Sequence, residues 1–428
     1  MLSVRPAPGR PTEFANLTEL QPRAARLVLA ACICACGTAP PLAISAAWEI
    51  AADVRVQWSD ATPSFLEGGL GKLRASDTLS LQTTRLTIGV VQPIGETWRL
   101  LGNATLSADD PDEPGDVTEA YLEYRPYPRA AWRVRGRIGA FYAPISLENR
   151  SAGWESPYLL SSSALNAWIG EELRTVGGEL QIDWLGSRAK RDLDVGLVMG
   201  VYGWNDFAGA FLAARGFRAQ DRQTGLFATV AQPGLKAYSR EPFLESDHRP
   251  GHYVGVRSLI AGRLELRALR YDNRGDPTVY VPRVEDFVWN TRFNAIGMRL
   301  ETPAGWTLIA QHLSGDTAIA PAGSRIDWDY DASFVLLSRE LGRRHRLSAR
   351  YDDFSLRRRT LGYAPSNSDV GDGWTLAWLF DATDEWRFAT EWQRFRSDAS
   401  KRALLLGVDP EVLESRVEIS IRRKFGQR

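Results

Sequence analysis

The stretch Trp132–Tyr142, WRVRGRIGAFY, constrains this chain more than any other. Trp132, Val134, Gly136, Ile138, Ala140 and Tyr142 share one parity, and Arg133, Arg135 and Arg137 share the other. Side chains alternate across a strand, so a strand here has one apolar face and one face with three like charges. A soluble sandwich turns its apolar face inward. A membrane barrel turns it toward lipid and leaves the charged face to a wet lumen. One strand does not choose between these, but recurrence does.

The pattern returns along the whole chain. Beginning with Glu49–Trp58, it reappears at Thr84–Val91, Trp98–Leu106, Glu119–Arg125, Thr175–Trp184, Leu193–Val201 and Arg263–Ala268. It continues at Ile296–Glu301, Trp306–Ala310, Arg346–Tyr351, Trp374–Phe380, Trp386–Trp392 and Val417–Phe425. The stripe Trp374, Leu376, Trp378, Phe380 is the purest and predicts a lipid face, with Thr375 on the wet side where a charge is tolerated. Short turns, such as Pro93–Glu96, Ala261-Gly262 and Gly342-Arg343, alternate with long polar segments. The long ones are Asp109–Asp116, Pro144–Gly170, Asn205–Gly251, Gly275–Trp289, Gly315–Arg325, Arg357–Val370 and Ser397–Val412, with a small hairpin expected near Leu226–Ala231. Short turns at one end and long loops at the other define the up-and-down plan. The expected fold is all-β, a transmembrane up-and-down antiparallel β-barrel of about 16 strands with both termini at the turn end.

Composition agrees. Beyond the leader no apolar run approaches the roughly 18 to 20 residues of a membrane helix, yet the chain holds 15 Trp, 13 Tyr and 16 Phe. Arg23 and Arg26 precede apolar stretches ending at Ala46-Ala47, which reads as a secretory leader over residues 1–47. Residues 48–428 are then expected to form a single barrel domain. All three cysteines fall in the leader, leaving no thiol for a disulfide or metal site. Removing the leader takes four arginines and two glutamates and leaves a net charge of about −2, which gives no reason to expect nucleic acid. Outer-membrane lipid is the expected surrounding, in a Gram-negative bacterium.

At Gly139–Asn149, GAFYAPISLEN, the sequence resembles the phosphate-selective porin family of outer-membrane channels. Gly139, Phe141, Pro144, Glu148 and Asn149 match a run that this family places where a strand enters a long loop, while Ile145 stands where an aromatic is common. The resemblance implies a sixteen-stranded homotrimeric porin. It covers about a dozen residues, and the family's phosphate-binding residues have no residue-by-residue match here.

Candidate pore-lining residues follow from parity: Arg133, Arg135 and Arg137, with Arg99, Glu119, Glu123, Glu179, Arg346 and Arg350. The three arginines form either an anion ladder or a neutral wall paired with Glu119, Glu123, Glu179 or Asp183 on adjacent strands. Trp154, Tyr158 and Trp168 mark a segment that either folds inward as the constriction or lies outside against a neighbouring protomer. Asn205–Gly251 is a second candidate for that role. Asp272–Asp276 reads as an outer-loop turn more than as a calcium site.

His312-Leu313-Ser314 resembles the His-x-Ser pair of outer-membrane phospholipases, but such a pair needs a third group to orient the base, and the flanking residues differ, with Gln311 before the His and Gly315 after the Ser. The chain has four histidines, so neither a metal centre nor a cofactor is expected. The leading expectation is a non-enzymatic porin passing small hydrophilic solutes by diffusion, with preference for phosphate-like anions. A loop-plugged barrel with a structural or adhesion role comes second, and an outer-membrane esterase or phospholipase third.

Overall fold

The computed structural model describes residues 46–60, 62–64, 68–74, 80–107, 115–232, 235–360 and 368–427. Nearly all of the expected leader, and most of Asp109–Asp116, lie outside the described residues. Sixteen strands close into one antiparallel barrel. They are β1 (Ala47–Ser59), β2 (Ser80–Ile94), β3 (Trp98–Ser107), β4 (Gly115–Tyr124), β5 (Trp132–Phe141), β6 (Thr175–Leu185), β7 (Leu193–Gly203) and β8 (Gly251–Ile260). Then come β9 (Leu264–Asp272), β10 (Asn290–Glu301), β11 (Trp306–Ile319), β12 (Ile326–Leu341), β13 (His345–Arg358), β14 (Asp369–Asp381), β15 (Trp386–Ala399) and β16 (Glu411–Gln427). β1 pairs with β16 from Trp48↔Gln427 to Ser59↔Arg416, so no sheet edge is left open to lipid.

The alternation is inside out relative to a soluble protein. On β1, Val54, Val56 and Trp58 are exposed, whereas Asp53, Arg55, Gln57 and Ser59 are buried in the interior. On β14, Trp374, Leu376 and Trp378 face outward. Thr375 does face inward, but it is fully buried and accepts from Arg350 Nη2 at 3.3 Å. The expectation that a charge fits at position 375 is therefore corrected: the lumen at that height is packed, not wet.

Tight hairpins close the turn end. Ala261 and Gly262 both have positive φ (52° and 65°), the geometry that matches the right-handed twist of the flanking strands. At the far end of β5, Gly139 has φ 130°, and a Cβ there would lie 2.4 Å from the Ala120 carbonyl oxygen. Only glycine lets the strand leave the wall at that point.

Strand lengths are uneven. β3 to β9 run 9 to 11 residues, whereas β11 to β16 run 13 to 17. Two segments read as loops, Gly315–Arg325 and Ser397–Val412, thus begin as strand: β11 continues to Ile319 and β15 to Ala399. The outward-facing Asp316 and Asp398 are polar, and that polarity imitated a loop. The hairpin expected near Leu226–Ala231 lies slightly later, at Val230–Gln232 with Leu235–Arg240.

Three loop-end segments turn back into the lumen. The first is residues 68–74, where Leu73 is 1% exposed. The second, residues 142–174, carries helix α1 (Ala164–Glu172), whose N-cap Ser163 accepts from the Asn166 N–H at 3.2 Å. The third, residues 204–225, carries the short helix α2 (Ala210–Arg215). Their apolar side chains pack with inward side chains of the wall into one core inside the barrel. Trp168 of α1 meets the edges of Phe217, Phe293 and Tyr330 at 5.1 to 6.2 Å, and Tyr271 stacks on Phe293 at 4.6 Å. Each buried aromatic removes about 150 to 250 Å² from water, enough to hold the segments in without disulfides.

Candidate functional site: an arginine vestibule and a packed layer

Near the turn end lies a cavity of about 320 Å³ lined by Arg125, Arg133, Arg135, Arg150, Arg257 and Arg267. β5 contributes Arg133 and Arg135 at its start, β8 and β9 contribute Arg257 and Arg267 close to their shared turn, and Arg150 descends from the second inward segment. Two carboxylates serve this set. Asp183 lies 3.1 Å from Arg133 and 2.9 Å from Arg135. Glu265 lies 2.7 Å from each of Arg150, Arg257 and Arg267. Six guanidiniums against two carboxylates leave the described lining strongly positive. Arginine forks match carboxylate and phosphate bidentately, so the vestibule suits oxyanions.

The other residues singled out by parity occupy different surroundings. Arg137, on the same strand, is held by Glu179 at 2.9 Å and donates to the Tyr142 carbonyl. It belongs to a neutralised wall. Arg99 pairs with Glu123 and Arg346 with Glu340, each across neighbouring strands. Glu119 accepts from Asn103 at 2.9 Å and from the Tyr142 N–H at 3.2 Å. Arg350 does not line open space. It is fully buried, donating to Glu148 and Asp352 at 2.7 Å each and to the Ser161 and Ser162 carbonyls at 2.9 and 3.0 Å. Sequence parity placed it inward correctly but could not show that the second inward segment lies on top of it.

Trp154, Tyr158 and Trp168 all sit within the barrel. Trp154 stacks on Tyr142 at 4.1 Å, Tyr158 accepts from Arg299 Nε at 3.2 Å, and Trp168 is buried in the aromatic core. This segment crosses to the opposite wall. The Leu147 N–H donates to Gln311 on β11, the Leu160 N–H to Glu391 on β15, and Glu155 accepts from Arg422 on β16 at 2.6 Å. The third segment is equally interior: Glu172 of α1 accepts from the N–H groups of Phe211 and Leu212 at 2.6 and 3.2 Å, joining the two helices.

This layer holds two narrow crevices of about 20 Å³ each, with Arg85 and Gln223 in both linings. That volume is close to what one water requires. One crevice reaches Arg74, Ser107 and Asp116 toward the loop end, and the other reaches Arg387 and Arg422 toward the turn end. Burial pushes the Asp221 carboxyl up, but Arg55, Arg74 and Arg85 outweigh it and hold it well below the usual range. Burial likewise raises Glu155, and Arg422 and Arg85 more than reverse it. Alternation turns Arg55, Arg85 and Arg422 inward, yet none of the three stood among the candidate pore-lining residues, and nothing local marked Glu155 or Asp221 as their partners.

At the start of the third inward segment, carboxylate oxygens of Asp206, Glu245 and Asp247 lie within 4.8 Å of one another. Burial and then the two neighbouring carboxylates raise Asp206 to about 7. Backbone N–H groups of Ser246 and Asp247 already donate to Asp206. The Asp272–Asp276 stretch joins this region through the Asp276 N–H to Asp247 at 2.6 Å. His312 Nδ1 is 2.8 Å from Ser333 Oγ on β12, across the ladder from it rather than toward Ser314.

No family model matches this sequence, and a search of curated proteins returns no match. Solved structures do show similarity. One is the outer membrane channel DcaP of Acinetobacter baumannii, with 10% identity, 89% of this chain and 97% of that chain covered, and a TM-score of 0.51. Another is Salmonella typhi OmpF in complex with daunomycin, with 11% identity, the same two coverages, and a TM-score of 0.53. At such identities the likeness establishes the fold, a sixteen-stranded barrel of the outer-membrane type.

Proposed function

We propose that the chain is an outer-membrane channel of a Gram-negative bacterium for small hydrophilic solutes, with a preference for anions. The observation that carries this reading is the vestibule, a 320 Å³ cavity where six arginines face two carboxylates. Rings of arginine in a pore favour anions, and a positive cleft with low-dielectric walls concentrates them before entry. The phosphate-selective resemblance and a homotrimeric assembly belong to the same proposal, as does removal of residues 1–47 as a leader.

The tight crevices favour a second reading, a barrel plugged by its own loops with a structural or adhesion role. Planar-bilayer recording separates the two. Stepwise current with an anion-selective reversal potential in a salt gradient is expected of the channel. Arg133→Glu with Arg135→Glu should shift that potential toward cations while the barrel still inserts. A folded barrel that gives no steps under any ionic condition belongs to the second reading.

A further inference from the structure

The packed layer contains a second arginine constellation, apart from the vestibule. Arg55 on β1, Arg85 on β2 and Arg422 on β16 project inward, and Arg74 joins them from the first inward segment. Carboxylates reach them from distant parts of the chain. Asp221 of the third segment lies 2.7 Å from Arg74, 2.8 Å from Arg85 and 3.0 Å from Arg55. Glu155 of the second segment lies 2.6 Å from Arg422 and 3.4 Å from Arg85. Arg55 and Arg422 also have wall carboxylates, Asp53 and Glu418 for the first and Asp53 for the second. Arg85 differs, because both of its described ion pairs are with the inward segments.

A further observation concerns Arg85 itself. Its side chain is 8% exposed, it lines both crevices, and its Nη2 meets Glu155 only through an ion pair at 3.4 Å, without a well-formed hydrogen bond. A buried guanidinium donor without a well-formed hydrogen bond is costly, and this side chain lines both crevices of the layer. We propose that Arg55, Arg74, Arg85 and Arg422 form a binding site for small oxyanions, occupied in this structure by the protein's own Asp221 and Glu155. A carboxylate- or phosphate-bearing solute exchanges with these two side chains and thereby widens the crevice.

Exchange of one oxyanion for another leaves the wall guanidiniums paired, so no uncompensated buried charge is created along the way. The displaced Asp221 and Glu155 lie on connecting segments, which can move without breaking the barrel's ladder. Chloride carries the charge but not the two-oxygen geometry that a guanidinium fork recognises, so it passes without releasing the segments. The gating half rests on the channel reading above, whereas the binding half does not.

The test uses the barrel over residues 48–428, refolded in detergent for calorimetry and reconstituted in planar bilayers. Inorganic phosphate and acetate are the probes that distinguish the two oxyanion sources. Phosphate should raise the chloride conductance of the unsubstituted protein to a plateau, and acetate should do so only if a single carboxylate suffices. Glu155→Gln with Asp221→Asn should remove this stimulation, because the segments are already released. It should also bind phosphate about tenfold more tightly or better, the value of one charge-assisted hydrogen bond. Asp221→Glu keeps the charge and should behave as the parent.

Equal phosphate affinity in parent and folded double variant would overturn the site. Should the double variant not fold, Arg85→Gln decides: phosphate binding about tenfold weaker is expected, and unchanged binding overturns the proposal. A clear affinity shift in proteins that never conduct would leave the site standing and defeat the channel reading instead.

Discussion

The vestibule and the packed layer begin from the same sequence pattern, arginines at inward parity on alternating strands, and end in opposite physical states. At the vestibule, carboxylates come mainly from neighbouring strands: Asp183 on β6 faces Arg133 directly in the ladder, and Glu265 is two residues from Arg267. Their number is fixed by register and falls short of the arginines, so the side chains stay part-exposed and the field survives. In the packed layer, carboxylates arrive from far along the chain, with Glu148 reaching Arg350 and Asp221 reaching Arg85. They close over the arginines and bury them. What an inward arginine does in this barrel is therefore set by whether a loop comes to it.

The sharpest way to break this contrast is at Arg350. Arg350→Ala strands Glu148 and Asp352 as buried unpaired charges, which should cost about 3 to 5 kcal/mol. A urea titration of the refolded barrel measures it, and limited proteolysis should then cut residues 142–174. A loss within error of zero would mean that the layer is hydrated and the two regions are alike.

Glu172, which ties α1 to the third segment, sharpens the comparison through pH. Burial raises its carboxyl to about 7 against the donors Phe211 N–H, Trp168 Nε1 and Leu212 N–H. The folded state therefore keeps a proton that the unfolded chain releases near 4.5. Its stability contribution is full below 4.5, falls as pH rises, and is gone above about 7, a change on the order of 3 kcal/mol. Stability of Glu172→Gln should lack that slope. Parallel curves for parent and variant between those pH values would remove Glu172 as the cause.

Asp183→Asn should have the smallest effect. Arg133 and Arg135 are about one-fifth exposed and remain hydrated without it. Solvent screening should hold the stability loss to about 1 kcal/mol or less, while anion selectivity in the bilayer rises. A loss as large as that at Arg350 would show that the vestibule is packed after all.

Parity was legible because lipid leaves it no freedom. A strand that crosses a membrane must turn Val54, Val56 and Trp58 outward and Asp53, Arg55 and Gln57 inward, and the same rule gave sixteen strands, closure and the turn end. Even Trp154, Tyr158 and Trp168 could be picked out as belonging to a long segment with large apolar side chains. Only the tertiary structure decided which side of the wall that segment occupies. Its contacts to Gln311, Arg350, Glu391 and Arg422 are separated from it by more than a hundred residues and follow no local period. Thr375 shows the consequence most plainly: its inward direction follows from alternation, but whether it meets water or a buried guanidinium depends on a loop that alternation does not describe.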